Sequence, residues 1–412
     1  MKRVIVVGGG PAGAFAAERL ASAGVRTILI DEKLAWEKPC GGGLTYKAYR
    51  EYPFLVDNST PKRLITEMRL ISPRAAAATL ELEHPLLIYS RLELNDLLLR
   101  RAERAGASLE KTRVVELARR GEGWTVRTKN GSWEADFCVI ATGARNPLRQ
   151  TGTEWGAGDV MCALGYYVPG GQEHIDIQFL PDFEGYIWIF PRCGHLSVGI
   201  CGKSVPAHVM RKQLEARLDE RGIPWRGSPF YSHLIPSLEQ PAWKRNRVAG
   251  PGWLAVGYAA GLVYPITGEG LYYAIRSADL AAQVLLNHHQ PAEKAGQEYC
   301  ARLWQDFAAD LEYAAHLSAR FYRGTFLGRH VVERSVEFTC HSSTFRTLVD
   351  GLIAGTLPYR ALKPKVYQSV PRLFAESGLG RLRALFGRKS TISTAGSRTA
   401  PAAGNPACDY PE

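Results

Sequence analysis

The first thirteen residues constrain the fold of this chain more than any other part of it. Residues 4–7 are an unbroken run of β-branched side chains, typical of a parallel strand buried on both faces. The glycines that follow are spaced as Gly8-x-Gly10-x-x-Gly13 and lead into an alanine-rich helix. The first glycine permits a tight turn, the second lets backbone approach a pyrophosphate, and the third lets helix and strand pack closely. The pattern predicts a dinucleotide-binding unit, the alternative being a glycine turn without a ligand.

The residues around this turn supply the other groups that a dinucleotide site needs. Pro11 and Ala12 begin the helix, where free N–H groups and the positive end of the helix dipole favour phosphates. Asp31 ends the second strand, a position from which a carboxylate can bind a ribose hydroxyl, and Glu32 follows it. We therefore expect all four residues, together with the three glycines, to contact the cofactor.

Composition places the chain among ordinary globular proteins. Its 412 residues are 46% hydrophobic and 22% charged, which excludes a disordered chain. The eight cysteines show neither Cys-x-x-Cys nor zinc-finger spacing, so we expect no metal site and a reducing, cytoplasmic setting. No run of 18 apolar residues occurs, and we expect no segment that spans a membrane.

The order of patterns along the chain predicts an α/β protein, α+β overall. Aromatic, proline-rich and alternating segments replace the opening style after residue 150, and the strand–turn–helix style returns near residue 253. We expect a Rossmann-like binding domain at 1–150 plus 245–290, an inserted mixed β-sheet substrate domain at 151–244, a helical region at 291–389 and a disordered tail at 390–412.

Three later segments indicate which dinucleotide binds. Residues 137–143 form a strand that ends in Thr142-Gly143, Gly257-Tyr258 follows another strand, and Gly268-Glu269-Gly270 opens a helix. Together with the first turn, this set resembles FAD proteins with the p-hydroxybenzoate hydroxylase type of fold. The resemblance implies that the Gly257 turn meets the ribityl chain and that the last helix aims its N–H groups at the flavin pyrimidine edge.

Arg91 also fits the resemblance. It lies just inside a helix that we predict at residues 86–104 with Ser90 as its cap, where such proteins place an arginine near the FAD phosphates. Tyr258 departs from the family, which usually has an Asp at that position for a ribityl hydroxyl. This departure implies an altered ribityl contact or weaker FAD binding.

Two further motifs resemble the geranylgeranyl reductase family of flavoenzymes. The first is Lys38-Pro-Cys40-Gly41-Gly42-Gly43-Leu, and the second is Tyr186-x-Trp188-x-Phe190-Pro191. The resemblance extends over about residues 1–370. It implies FAD as the cofactor, NADPH or another reductant as the electron donor, and saturation of isolated C=C bonds of a geranylgeranyl or other isoprenoid group. Hydride would pass from reduced flavin N5 to one alkene carbon, and a proton donor would transfer a proton to the other carbon.

The same resemblance suggests roles for these motif residues. Cys40, Gly41 and Gly42 would lie against the flavin, and Cys40 would be a proton relay or a flavin contact, unless it is only a small buried residue. Tyr186, Trp188 and Phe190 alternate with isoleucines, so their side chains point to one face of a strand. We expect them, with Pro191, to line a prenyl channel, and Tyr186 and Trp188 to lie at the catalytic centre; the alternative is a plain core strand.

Two other functions fit the same motifs. A flavin-dependent monooxygenase or halogenase would have the same fold. Halogenases of this kind carry a Trp-x-Trp pair, and here the first position of the pair is Tyr186, which favours the reductase. A non-catalytic lipid-binding flavoprotein is suggested by Tyr258. Anaerobic turnover separates the first of these from a reductase, and the visible spectrum tests the second.

The net charge of +11 is concentrated near the C-terminus. Residues 356–389 contain eight basic side chains against one acid, which gives +7 of the total. Leucines at 379, 382 and 385 with Phe386 are interleaved with arginines, which is the pattern of a basic amphipathic helix. It predicts peripheral contact with the inner face of an anionic membrane, or else a helix docked on the protein itself. No recognition motif accompanies the basic residues, so nucleic acid is not an expected partner.

Overall fold

The computed structural model describes residues 3–148, 151–287, 292–326 and 328–387. It confirms the predicted α/β class. The predicted tail at 390–412 lies outside the described residues. The described strands are, in chain order, β1 Arg3–Val7, β2 Arg26–Asp31, β3 Gly43–Leu44, β4 Arg63–Ile71, β5 Ala77–Ile88, β6 Ser108–Lys111, β7 Val114–Arg120, β8 Gly123–Thr128, β9 Gly131–Ala135, β10 Phe137–Ile140, β11 Val160–Pro169, β12 His174–Phe179, β13 Gly185–Pro191, β14 His195–Gly202, β15 Phe230–Pro236, β16 Ala249–Gly250, β17 Trp253–Ala255, β18 Thr325–Phe326 and β19 Arg329–His330.

The described helices follow the same order. They are α1 Pro11–Ser22, α2 Tyr46–Glu51, α3 Arg91–Arg104, α4 Ala207–Glu220, α5 Gln240–Arg245, α6 Leu271–Leu286, α7 Ala292–Leu303, α8 Ala309–Arg323, α9 Val331–His341, α10 Ser343–Ala354 and α11 Tyr359–Gly387. One π-helical turn, Trp304–Ala308, joins α7 to α8.

A six-stranded sheet carries the N-terminal unit, in the order β16-β17-β10-β1-β2-β6. All its strands except β16 run parallel, with β1 between β10 and β2. The unbroken apolar runs of β1 and β10 fit this central position, because both faces of the sheet are covered. On one face α1 packs between α3 and α6, and the three-stranded sheet β7-β8-β9 contacts β1 and β10 from outside. This arrangement confirms the predicted Rossmann-like fold.

An eight-stranded mixed sheet forms the second layer, in the order β15-β11-β14-β13-β12-β4-β5-β3. Helix α4 packs its leucines against one face, where the isoleucines of β13 lie. Helices α9 and α10 pack on β5 at the other side. The sheet takes β3, β4 and β5 from residues 43–88, so its strands come from both sides of the boundary that we expected at residue 150.

The structure corrects one predicted boundary near Arg91. We expected a helix at 86–104, but residues 86–88 close the long strand β5, where they pair with the start of β4. The three apolar residues there suit either state, and pairing with a neighbouring strand outweighs their helical propensity. Helix α3 therefore begins at Arg91, with Ser90 at the N-cap position.

Candidate active site

The glycine turn between β1 and α1 has the predicted shape. Gly8 has a φ of 110°, and a Cβ atom there would lie 2.3 Å from the Ala141 carbonyl oxygen. A Cβ atom on Gly13 would lie 1.8 Å from the Gly8 carbonyl oxygen, so only glycine allows α1 to start this close to the strand. Nothing lies within 4 Å of the corresponding position on Gly10. The turn is closed on two sides and open on the side where a pyrophosphate would approach.

Asp31 shapes this turn through its carboxylate. Its Oδ2 atom accepts the Gly9 N–H at 2.8 Å, and its Oδ1 atom accepts the N–H groups of Lys33 and Leu34 at 2.7 Å each. These bonds hold the carboxylate at the end of β2 next to the glycine turn. Glu32 lies differently, because its side chain is half exposed and its carboxylate is 4.0 Å from the Arg113 guanidinium.

A cleft runs from the glycine turn along the start of α6. Ten of the predicted site residues line it, namely Gly10, Pro11, Ala12, Cys40, Arg91, Gly143, Tyr258, Gly268, Glu269 and Gly270. Gly8, Gly13, Asp31, Gly41, Gly42, Thr142 and Gly257 shape the neighbouring backbone and do not line it. We call this space the cofactor cleft.

Two cations that have no carboxylate partner in the described part of the chain face the cofactor cleft. Arg91 is 3% exposed; its Nη2 atom donates only to the Asn95 side-chain oxygen at 3.3 Å, and its Nε atom has no partner among the described residues. Lys38 lies 4.6 Å above the Tyr258 ring, and burial, aided by the Arg91 charge, lowers its pKa to about 7. Buried cations require an anion close by. A pyrophosphate at the N-terminus of α1 would provide that anion, so these residues fit FAD.

The turn before α6 faces both the cofactor cleft and the space beside it. Glu269 accepts the Tyr272 N–H at 2.7 Å and so caps α6, while burial raises the pKa of its carboxyl to about 7. Tyr258 packs its ring on this turn, where a Cβ atom on Gly270 would lie 2.3 Å from it. The bulky side chain that replaces the family's usual Asp therefore fills space beside α6.

A large apolar cavity of about 1310 Å³ adjoins the cofactor cleft. Its walls are the face of the eight-stranded sheet opposite α4, the 38–43 loop, the turn before α6, and helices α8 to α11. Seven residues line both the cleft and the cavity and so mark their junction: Lys38, Cys40, Gly43, Arg91, Tyr258, Gly268 and Glu269. The cavity exceeds the usual range of ligand pockets and suits a long apolar ligand.

The aromatic residues of β13 lie on the cavity side, as their alternation predicts. Tyr186, Trp188 and Phe190 line the cavity, whereas Ile187 and Ile189 pack beneath α4. Pro191 ends the strand and does not line the cavity. This face therefore lines the cavity and also packs in a buried cluster with Ala163, Cys201 and Tyr231. The roles of its side chains in binding and catalysis stay predictions.

Close contacts fix two of these aromatic side chains. The Trp188 ring lies flat against β14, where a Cβ atom on Gly199 would be 2.3 Å away. The Tyr186 hydroxyl donates to the Thr267 carbonyl at 2.5 Å, which ties β13 to the turn before α6. Burial raises the pKa of Tyr186 well above its ordinary value, so this hydroxyl keeps its proton at neutral pH.

The 38–43 loop brings Cys40 to the junction of cleft and cavity. Its half-buried Sγ atom accepts the Gly42 N–H at 3.3 Å. The side chains of Arg192 and Ser197 hold the loop by donating hydrogen bonds to the Cys40 carbonyl. Sequence reasoning did not identify either residue. Both lie more than 150 residues away along the chain, and no local spacing connects them to the loop.

Comparisons with known proteins indicate the family of this chain. A family model described as pyridine nucleotide-disulphide oxidoreductase matches residues 2–159. The chloroplastic geranylgeranyl diphosphate reductase of Oryza sativa is 32% identical over 316 residues, which are 69% of this chain and just under two thirds, 66%, of that protein. The menaquinone reductase of Mycobacterium tuberculosis is 30% identical over 350 residues, 74% of this chain and 79% of that protein.

Solved structures resemble most of the chain. A geranylgeranyl bacteriochlorophyll reductase-like protein from Thermoplasma acidophilum has a TM-score of 0.74 at 21% identity, covering 92% of this chain and 100% of that one. A flavin-dependent brominase has a TM-score of 0.63 at 15% identity, covering 90% and 98%. At these identities the likeness shows a common fold only.

The cleft and the curated relatives together define an FAD-dependent oxidoreductase. Within that class, the chain belongs to the geranylgeranyl reductase family, because the chloroplastic geranylgeranyl diphosphate reductase of Arabidopsis thaliana is 30% identical over 328 residues, 71% of this chain and 67% of that protein. The predictions of the flavoprotein fold, of FAD and of this family are confirmed.

Proposed function

We propose that this enzyme saturates isolated C=C bonds of a geranylgeranyl or related isoprenoid group. The observation that carries the proposal is the 1310 Å³ apolar cavity that meets the cofactor cleft at shared residues. A prenyl chain could lie along the aromatic wall of β13 with one double bond at this junction. Two relatives are named for geranylgeranyl diphosphate and for menaquinone. These two molecules have different head groups, but both carry a prenyl chain.

The chain's own residues would bind FAD and exclude water. The α1 N-terminus, Arg91 and Lys38 would hold the pyrophosphate, and the turn at Gly268 would lie beside the flavin ring. When bound and reduced, FAD supplies the hydride that one alkene carbon receives, and the other carbon receives a proton. Trp188 and Phe190 give the cavity an apolar wall, which would favour a proton donor placed close to the alkene over bulk water.

The proposal is tested by anaerobic turnover. Purified holoenzyme with NADPH or dithionite as reductant is supplied with geranylgeranyl diphosphate or a geranylgeranylated quinone, and products are analysed by mass spectrometry. We expect gains of two hydrogens per reduced bond without oxygen. Products that form only in air and gain oxygen or halogen would instead support the monooxygenase or halogenase alternative. A flavin-free protein would support a lipid-binding scaffold.

Cys40 is our candidate for the proton relay. Its thiol lies at the junction of cleft and cavity, within the segment that the sequence motif singles out. We expect Cys40→Ser to lower turnover on prenyl substrate by about 10²-fold, the lower end of the contribution of a general acid. Cys201→Ser is the matched control, because that buried thiol lines the same cavity and burial raises its pKa to about 12. Full turnover by Cys40→Ser would exclude the catalytic role.

We also propose peripheral membrane contact near the cavity. The supporting observation is a pair of exposed aromatic residues, Phe326 on β18 and Tyr367 on α11, which both line the cavity and are 43% and 66% exposed. The apolar side chains of the predicted amphipathic helix, at positions 379, 382, 385 and 386, lie outside the described part of the chain. Among the described helices none is long and apolar enough to cross a bilayer.

A further inference from the structure

A buried arginine outside the family motifs holds the 38–43 loop. Arg192 follows β13, is 1% exposed, and its Nη1 atom lies 2.5 Å from the Glu37 carboxylate. The same guanidinium donates to the backbone carbonyls of Cys40 and Gly41. Because a guanidinium presents its N–H donors in a rigid planar fork, these three acceptors are held in one geometry.

Glu37 connects this arginine to the start of α3. Its carboxylate accepts the N–H groups of Arg91 and Leu92 at 2.9 and 3.2 Å, and the Ser90 hydroxyl also donates to it. Burial opposes ionisation of Glu37, but the Arg192 charge and these donors outweigh it and hold its pKa below the usual value. The ion pair therefore joins the eight-stranded sheet to helix α3, which carries Arg91.

Ser197 provides a second donor from the sheet. Its fully buried hydroxyl donates to the Cys40 carbonyl at 2.9 Å and lies 3.2 Å from the Tyr231 hydroxyl. The Cys40 carbonyl is thus held by two side chains of the eight-stranded sheet, those of Arg192 and Ser197. The position of Cys40 at the junction depends on groups that touch neither the cleft nor the cavity.

We propose that Arg192, paired with Glu37, is a positioning residue of the reductase. The pair places the Cys40 backbone where the cofactor cleft opens into the cavity. This inference rests on the proposed function, since it concerns the step in which substrate is reduced. A displacement of about 1 Å at a reacting centre can slow a reaction on the order of 100-fold. Loss of the fork should therefore slow reduction of the alkene while FAD stays bound.

The test compares Arg192→Met and Arg192→Lys holoenzymes with the wild type. Stopped-flow absorbance measures, without oxygen, flavin reduction by dithionite and then reoxidation by geranylgeranyl diphosphate. We expect Arg192→Met to keep its FAD and its reduction rate but to be reoxidised about 100-fold more slowly at saturating substrate. Arg192→Lys should recover part of the rate, because an ammonium keeps the ion pair but lacks the fork.

A second readout does not depend on turnover. Iodoacetamide labelling followed by peptide mass spectrometry gives the alkylation rate of Cys40 relative to the exposed Cys300. We expect this ratio to rise in Arg192→Met and to return towards the wild-type value in Arg192→Lys. If wild-type enzyme is not reoxidised by any prenyl substrate, the proposed function fails, whereas the labelling ratio still decides the positioning role.

Arg63→Met is the matched control. Arg63 is a buried arginine of the same sheet, paired with Glu173, and it lines neither cleft nor cavity. Wild-type reoxidation and labelling in Arg192→Met overturn the proposal, and so does an equal loss in Arg63→Met. If Arg192→Met does not fold, Ser197→Ala removes the other donor without stranding a charge. It should raise the labelling ratio and slow reoxidation by a smaller factor, and unchanged values would overturn the proposal.

Discussion

Arg91 is a buried cation whose surroundings indicate what it binds. It lies beside Gly10 and the start of α1, and Lys38 brings a second positive charge to the same cleft. Two cations together raise the free energy of the site unless an anion lies between or beside them. The N–H groups of α1 face the same space, so a pyrophosphate satisfies the helix and both side chains.

We expect Arg91→Met to weaken FAD binding roughly 10- to 100-fold. The reason is that a hydrogen bond to a charged group contributes about 1.5–3 kcal/mol. Fluorescence titration of apoprotein with FAD measures the dissociation constant. Arg100→Met is the control, because Arg100 lies on the exposed side of the same helix, paired with Asp96 at 2.6 Å. Equal FAD affinity in Arg91→Met and wild type would contradict the role.

Single residues were predictable where their constraint is local. The spacing of Gly8, Gly10 and Gly13 predicts the turn because each glycine answers a clash or an approach within a few residues. Glu37 and Arg192 follow no such rule, since 155 residues separate the two ends of their ion pair. The sequence shows that Glu37 and Arg192 carry opposite charges, but it does not show that they pair with each other.

Helix α11 is anchored to the protein at two carboxylates. At its start, Asp310 of α8 accepts the N–H groups of Tyr359 and Arg360 at 3.1 and 2.9 Å. Further along, Glu376 accepts hydrogen bonds from Ser342 and from Thr344, at the start of α10. The Ser342 hydrogen bond is the largest cause that lowers the pKa of Glu376, and with the Thr344 bonds and the Arg372 guanidinium it outweighs burial and brings that pKa to about 2. These contacts hold α11 over the cavity.

We expect Glu376→Gln to loosen α11 in a pH-dependent way. Because the folded pKa lies below the ordinary glutamate value of 4.5, the ionised carboxylate stabilises the fold above pH 4.5, and this contribution disappears as pH falls towards 2. Hydrogen exchange of residues 359–376 should therefore be severalfold faster in the variant at pH 7, and the difference should shrink below pH 4.5.

The control for this prediction is Glu220→Gln in α4. That variant removes a surface carboxylate paired with Arg217, far from α11 along the chain. It should leave exchange in residues 359–376 unchanged at every pH. A difference between Glu376→Gln and wild type that stays constant down to pH 3 would contradict the assignment of the low pKa to this anchor.

Whole elements were predictable when their periodicity was clear. The alternation in β13 predicts which side chains share a face, and the structure places them on the cavity side. The short apolar run at 86–88 has no such periodicity, and its strand state depends on pairing with β4. The joining of β3, β4 and β5 to the second sheet likewise depends on long-range hydrogen bonds that no local pattern encodes.

At the scale of the whole molecule, the C-terminal helices form part of the wall of the apolar cavity. Helices α8 to α11 close the space that the sheet leaves open, so the first part of the basic segment, residues 356–371, lies beside the cavity. The sequence predicted helices there but not their position, because packing between distant elements decides it. This placement brings the basic residues Arg320 and Lys363 to the same cavity as Phe326 and Tyr367.

Exposed aromatic and basic residues around an apolar cavity suit an anionic lipid surface, from which a prenyl lipid could enter. We expect the double variant Phe326→Ser/Tyr367→Ser to bind phosphatidylglycerol-containing vesicles about tenfold more weakly in co-sedimentation, through lost apolar burial. The matched control is Phe230→Ser/Trp304→Ser, because those rings are 46% and 52% exposed but do not line the cavity. Equal binding by both double variants, and after deletion of residues 378–412, would exclude this surface as the membrane contact.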